Sequence, residues 1–270
     1  MKKLLLAFQF LTIVPVRVKG TFSEREIAHS AAFFPLTGAF QGLLAVLSAV
    51  LFLKIFPSEV VAGLIILILI MSNGGFHLDG LADTFDAIAV KSTGNAEQDI
   101  EKRLAVMKDS TTGAIGVVAI VSAILLKFLF ISSLFTNSSI FTVCSMLFLM
   151  PVFSKWIMVT AMHHGTSARQ NGLGRIFLNN VNMSTVVFSS LLVIVLYILV
   201  AELHLLKVYG TGSITLLITL FAILYMFSFM AVRFCNKRFN GLTGDNLGAM
   251  SEISEILFLM VITIWLRHFI

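Results

Sequence analysis

Long apolar runs separated by short polar stretches make up most of the chain. Runs long enough to carry a helix across about 30 Å of hydrocarbon, which takes about 20 residues, fall at 31–56, 60–78, 113–135, 139–162, 183–201, 214–232 and 247–266. The pattern predicts an all-α fold, a polytopic membrane helix bundle of about seven transmembrane helices. The first and last runs are the weakest, because Pro35 or Glu252 and Glu255 interrupt them, so the count could fall to six. Before them, Met1-Lys2-Lys3 leads into the apolar stretch 4–16, which Gln9 and Thr12 break and which lacks a small-residue cleavage site. That stretch predicts an uncleaved N-terminal interfacial or re-entrant helix rather than a signal peptide. No Gly/Ser/Pro-rich linker divides the sequence, so 1–270 is expected to be a single integral membrane domain.

Composition agrees with a bilayer as the main solvent. The chain is 58% hydrophobic with a mean hydropathy of +0.97, against about 45–50% apolar residues in a soluble domain. A net charge of +5 raises the question of nucleic acid, but the basic residues flank apolar spans instead of forming a soluble basic face. Membrane lipid and an anionic substrate explain them better. With a cytoplasmic N-terminus, Lys2, Lys3, Arg17, Lys19, Arg25, Lys91, Lys102, Arg103, Lys108, Arg169, Arg175, Arg233, Lys237 and Arg238 lie inside, while Lys54, Lys207 and Arg267 lie opposite. This matches the positive-inside rule and puts every polar motif on the cytoplasmic face. Cys144 and Cys235 sit in apolar runs without partners at metal-ligand spacing, so neither a disulfide framework nor a zinc site is expected.

Three aspartates, Asp79, Asp83 and Asp86, follow the second run at i, i+4 and i+7 and so share one helix face. Like charges in a row repel, and with apolar Leu78, Leu81, Phe85, Ile88 and Ala89 around them they call for a cation; a solvated helix end is the plainer alternative. Hard oxygen ligands suit Mg²⁺, which keeps several waters and binds through a few carboxylates plus substrate phosphates. A second acidic group opens the last run. There Asp245 or Asn246 is a natural N-cap, while Glu252 and Glu255 lie deeper, where carboxylates are costly and usually functional.

Basic and polar candidates surround these acids. A helix ending near Lys108, followed by the turn Asp109-Ser110-Thr111-Thr112-Gly113, would offer free N–H groups to phosphate, with Arg103 and Lys108 adding charge. Lys155, inside the fourth run, is expected to meet substrate phosphates or the aspartates; Lys127, inside the third, is expected to snorkel or make a structural pair. His163, His164, Arg169, Asn171 and Arg175 form a polar loop around Gly172-Leu173-Gly174, with the two histidines read as interfacial. His77 either positions a nucleophile or is a hydrogen-bonded core histidine. Candidate substrate contacts are therefore Arg103, Lys108, Ser110, Lys155, Arg175 and Asn246. Together these features point to transfer at a phosphate or pyrophosphate centre. No Walker loop is present, which argues against P-loop nucleotide hydrolysis.

The string Gly74-Gly75-Phe76-His77-Leu78-Asp79-Gly80-Leu81-Ala82-Asp83-Thr84 with Asp86, then Met107-Lys108-Asp109-Ser110, Gly172-Leu173-Gly174, Thr243-Gly244-Asp245 and Leu247-Gly248-Ala249, resembles the cobalamin synthase (adenosylcobinamide-GDP ribazoletransferase) family in order and spacing. Phe8-Gln9-Phe10-Leu11-Thr12 with Pro15-Val16, and Phe34-Pro35-Leu36 with Gly38, are similar to it too. The resemblance implies an enzyme in the cytoplasmic membrane of a prokaryote. In its reaction the ribose 3′-hydroxyl of α-ribazole, or of its 5′-phosphate, attacks the corrinoid-side phosphoryl group of adenosylcobinamide-GDP and expels GMP. It further implies Mg²⁺, with Asp79, Asp83 and Asp86 as metal-binding catalytic groups, Asp245 as a further ligand, and Arg103, Lys108 and Lys155 on phosphate. A large water-facing concavity on the motif side is expected. CDP-alcohol phosphotransferases and aspartate-rich prenyltransferases are the enzymatic rivals, but Ala82 and Asp83 stand in the wrong order for the first and Asp245 to Glu255 have the wrong spacing for the second. A secondary transporter is the rival from another class.

Overall fold

The computed structural model describes residues 2–16, 18, 20–202 and 211–269; Arg17, Lys19 and Lys207 lie outside the described residues. Among the described residues the chain is helical with one isolated backbone bridge and no strand. The helices are α1 (Lys2–Leu11), α2 (Glu24–His29), α3 (Phe34–Phe52), α4 (Ser58–Ser72), α5 (Phe76–Ala89), α6 (Ala96–Val106), α7 (Ala114–Asn137), α8 (Ile140–His164), α9 (Leu173–Asn180), α10 (Met183–Glu202), α11 (Thr211–Phe239) and α12 (Gly244–Phe269). Six helical stretches are long and apolar enough to cross a membrane, and seven if α4 and α5 count together as one broken span.

The N-terminal helix α1 has 10 residues, too few to span at 1.5 Å each. It stops where Thr12 Oγ1 donates to Phe8 O (2.7 Å), and Ile13 N then donates to Ser72 O (3.0 Å), tying the segment to the end of α4. The first span starts earlier than its apolar run: α2 opens on a capping box between Ser23 and Glu26 and continues through a 3-10 turn, Ser30–Phe33, into α3. Pro35 does not interrupt this span. It sits in the first turn of α3, where a missing N–H leaves no bond unmade.

The second apolar run is not one helix. It breaks after Ser72, and α5 leaves α4 at 88°. Gly74 (φ 69°) and Gly75 (φ 76°) are both left-handed, a pair of conformations that costs a side chain about 1–2 kcal/mol each. Asn73 Oδ1 accepts from Gly75 N (3.0 Å) and closes the turn.

Helix α8 forms the axis of the bundle, buried almost throughout from Thr142 to Met162, with α3, α10, α11 and α12 packed around it. Lipid gives helices no hydrophobic reason to associate, so close contact of small residues must supply it. Gly38 and Gly42, one turn apart on α3, lie against the backbone of Pro151 and Phe148 on α8, with no room for a Cβ at either position. Gly42→Val is expected to cost about 1–3 kcal/mol through overpacking, read as a lowered melting temperature in detergent. The same change at the open Gly63 should leave it unmoved.

Candidate active site

The carboxylates meet because α5 and α12 touch through backbone. A Cβ on Gly80 would lie 2.6 Å from Asp245 O and 2.9 Å from its Cα, and one on Gly248 would lie 3.2 Å from His77 Cα. Asp83 is thereby within electrostatic reach of Asp79, Asp245, Arg169 and Asp86. Asp79 is exposed, the other three acids are half-buried, and Asp79 and Asp83 accept no hydrogen bond among the described residues.

Neither Asp245 nor its side chain caps α12. Thr243 does: Asn246 N donates to Thr243 Oγ1 (3.2 Å) and Thr243 N to Asn246 Oδ1 (3.0 Å), a reciprocal capping pair. Asn246 Nδ2 donates to Thr84 Oγ1 (3.1 Å), so this buried side chain joins α12 to α5 and is not presented to a substrate. The capping pair leaves Asp245 free for the acidic face, where its Oδ2 stands 3.0 Å from Arg169 Nη2.

Asp86 has a different engagement from Asp79 and Asp83. Its two oxygens accept from Gly113 N (2.7 Å) and Gly116 N (2.8 Å) at the start of α7. The free N–H groups expected there to hold a phosphate are held by this carboxylate, for the reason they would attract phosphate: an anion at the positive end of a helix is stabilised. A Cβ at Gly113 or Gly116 would collide with the Asp86 carboxylate.

Five residues, Lys127, Lys155, His77, Glu252 and Glu255, lie beneath the face rather than on it. Lys127 is the structural pair its position allowed, buried and 2.6 Å from Glu252 Oε2 and 2.5 Å from Glu255 Oε2. Lys155, fully buried, stands 3.9 Å from Glu255 Oε1 and donates to Ser251 Oγ (3.1 Å). Its Nζ is 3.3 Å from His77 Nδ1. An ammonium only donates, so His77 Nδ1 accepts and its proton belongs on Nε2. His77 and Asp79 are two residues apart on a helix and point to opposite sides, which is why this histidine meets Lys155 and not the acids. Lys155, Glu252 and Glu255 form a charge-neutral interior group with Lys127.

Arg103, Arg175 and the two histidines also have protein partners. Buried Arg103 donates from Nη1 to Arg238 O (3.2 Å) and lies 3.9 Å from Asp99. Asp99 is itself pulled down to about 2 by hydrogen bonds from Ser92 and from Thr93. Arg175 pairs with Glu24 at 2.5 Å. His164 Nε2 meets Tyr225 OH at 2.7 Å, and His163 Nδ1 lies 3.5 Å from Val181 O. Lys108 and Ser110 are exposed, next to Met107, whose carbonyl accepts from Arg169 Nη2 (3.4 Å). Arg169 was legible only as one member of a polar loop; nothing in its spacing tied it to Asp245, 76 positions away.

The donor chemistry fits Mg²⁺. This ion retains water and takes one or two carboxylates beside substrate phosphates, which is what two unpaired aspartates one turn apart, with Asp245 alongside, provide. Among the described residues no three His, Cys, Asp or Glu side chains stand close enough together to hold a metal ion by themselves, so phosphate oxygens and water would have to complete such a site. A hollow of about 740 Å³ opens between α8, α10 and α11, floored by Trp156, and a smaller one of about 10 Å³ lies beside Lys127, Glu252 and Glu255.

Two stability outcomes follow from the two kinds of acid. Asp86→Ala should lower stability by about 1–2 kcal/mol through loss of the cap, whereas Asp79→Ala should be neutral or slightly stabilising because it relieves repulsion; thermal denaturation in detergent compares them. Lys127→Met should cost about 3–5 kcal/mol by stranding two buried carboxylates. The fourfold change Lys127→Met, Lys155→Met, Glu252→Gln, Glu255→Gln, which removes the whole group, should recover most of that loss in the same measurement.

The cobalamin-5-phosphate synthase family model matches residues 3–263 of this chain. An adenosylcobinamide-GDP ribazoletransferase of Thermodesulfovibrio yellowstonii is 36% identical over 258 residues, covering 96% of this chain and 94% of the relative. Proteins of the same name from Geotalea daltonii, 32% identical over 256 residues, and Clostridium tetani, 30% identical over 257, each cover 95% of this chain and 94% of the relative. No solved structure matches it.

Proposed function

The chain belongs to the cobalamin-5-phosphate synthase family and works as an adenosylcobinamide-GDP ribazoletransferase of late cobalamin biosynthesis, and we propose that the face formed by Asp79, Asp83 and Asp245 is where its reaction takes place. One observation carries this placement. Asp79 and Asp83 stand one turn apart without a hydrogen bond, against Asp245, in a protein that pairs its other motif carboxylates internally. Unpaired like charges are a cost to the fold, and binding a divalent cation with phosphates removes it.

In the reaction a ribose hydroxyl of α-ribazole, or of its 5′-phosphate, attacks the corrinoid-side phosphorus of adenosylcobinamide-GDP. A new P–O bond forms, the diphosphate P–O bond breaks, GMP departs, and the hydroxyl proton passes to a carboxylate oxygen of the acidic face. Asp79, Asp83 and Asp245 would hold Mg²⁺, which when bound supplies charge neutralisation at the diphosphate and the departing phosphate. Lys108 and Ser110, exposed beside the face, are positioned at its rim for phosphate. Asp86, committed to α7, orients α5 and is not assigned to the metal. Lys91, Lys102, Lys108, Arg169, Arg175, Arg233 and Lys237 belong to the end of the bundle that carries the acids, and Lys54 and Arg267 to the other. That asymmetry supports a cytoplasmic placement of the face in the plasma membrane.

Purified protein given adenosylcobinamide-GDP and α-ribazole should release GMP in step with corrinoid product, and only with a divalent metal. Asp83→Ala should lower turnover by at least 10³-fold, about 4 kcal/mol of transition-state stabilisation, while keeping its melting temperature. A folded Asp83→Ala protein of ordinary activity would overturn the assignment.

A further inference from the structure

We propose that Arg169 is the residue that grips the diphosphate of the GDP-linked substrate, and that it becomes available by giving up Asp245 to the metal. This rests on the ribazole-transfer reading and adds to it a phosphate-binding residue that the sequence motifs do not mark.

The backbone around Arg169 is built to hold it on the acidic face. After α8 ends, Leu242 N donates to Thr166 O (2.8 Å) and Ala168 N donates to Leu242 O (2.9 Å), so 166–168 and 242 form a short parallel bridge. Ser167 Oγ donates to Arg169 O (2.7 Å) and fixes the next turn. The bridge requires glycine at 241, whose φ is 140° and whose Cβ would lie 2.6 Å from Ala168 N. The loop after α8 and the start of α12 are in this way one unit, and Arg169 and Asp245 face each other across it.

The pair they make leaves one edge of the guanidinium unused. Arg169 Nη2 is 3.0 Å from Asp245 Oδ2, while Arg169 Nε is buried without a hydrogen-bond partner. Among the described residues no other lysine or arginine is in ion-pair contact with Asp79, Asp83, Asp86 or Asp245. Arg103, Lys155 and Arg175 are held by other partners. Beside the pair, Gly244 is exposed with nothing within 4 Å of its missing Cβ. A guanidinium fork matches two phosphate oxygens at once, a geometry that an ammonium cannot reproduce. The cation on Asp245 in the ligand-free protein is therefore Arg169, and it is exchanged for metal as the arginine turns its Nε and Nη edge to the incoming diphosphate. No covalent step is involved.

The exchange predicts shifts of opposite sign, measured without turnover. In the detergent-purified full chain, Mn²⁺ binding is followed by titration of its free-ion paramagnetic resonance signal, and GDP binding is followed by calorimetry with Mn²⁺ present. Arg169→Gln removes the competitor for Asp245 and should bind Mn²⁺ about two- to fivefold more tightly, while losing at least tenfold in GDP affinity. Arg169→Lys keeps the charge without the fork and should match wild type for Mn²⁺ but fall with the glutamine variant for GDP. A purely structural arginine would weaken both ligands together; that result, or unchanged GDP binding, overturns the proposal. Wild-type protein that binds GDP but no Mn²⁺ would instead overturn the metal assignment of the acidic face, and the exchange with it.

Discussion

A straight helix from Ser58 to Ala89 would carry Asp79, Asp83 and Asp86 away from the bundle, beyond the reach of α7 and α12. The left-handed pair Gly74 and Gly75 prevents this by turning the chain through 88° between α4 and α5. The acidic face depends on that turn. It lays Gly80 on the backbone of Asp245, brings Asp86 to the first N–H groups of α7, and points His77 inward at Lys155. A residue with a Cβ at either glycine would strain the turn, and even a modest change of angle would separate carboxylates that now share one face.

The turn also sorts the charges into two populations. Below the face, Lys127 and Lys155 offset Glu252 and Glu255, with Ser154 and Ser251 supplying further hydrogen bonds. Buried ions survive in hydrocarbon only under such terms, and replacing a whole group of them by apolar residues often costs little. Hence the interior group speaks for specificity of packing among α7, α8 and α12 more than for stability. At the face the opposite holds: Asp79 and Asp83 are left unpaired where water and solutes reach them. Paired acids inside and unpaired acids outside separate scaffold from chemistry more sharply than residue type alone.

Much of this was legible in the sequence, and the part that was not has a common cause. Apolar runs of span length and the i, i+4, i+7 aspartates are local patterns, and the bundle and the acidic helix follow from them. The break at 73–75 was hidden because Gly-Gly lies inside an otherwise continuous apolar run, and periodicity does not distinguish a lipid-facing helix from two helices joined at a bend. Thr243 as the cap, Asp86 on α7 and Arg169 on Asp245 are contacts between positions far apart in the chain. Asp245 looked like a cap because aspartate at a helix start usually is one; Thr243 two positions earlier made that use unnecessary. Lys155 and Arg103 carried the right charge for phosphate, but their helical phase turns them into the protein.

Helix α5 is held at three levels, and each fixes its rotation independently. His77 is anchored on α8 and α12 at the inner end, Gly80 and Thr84 are pressed against α12 in the middle, and Asp86 is bound to α7 at the outer end. A helix pinned at three points on its inward side cannot roll to give Asp79 and Asp83 protein partners of their own. Repulsion between those two acids is therefore carried by the surrounding packing, the usual way in which a fold sustains a locally unfavourable arrangement at a functional site. The helix is oriented before any ligand arrives, so binding energy from the substrate need not be spent on aligning the carboxylates.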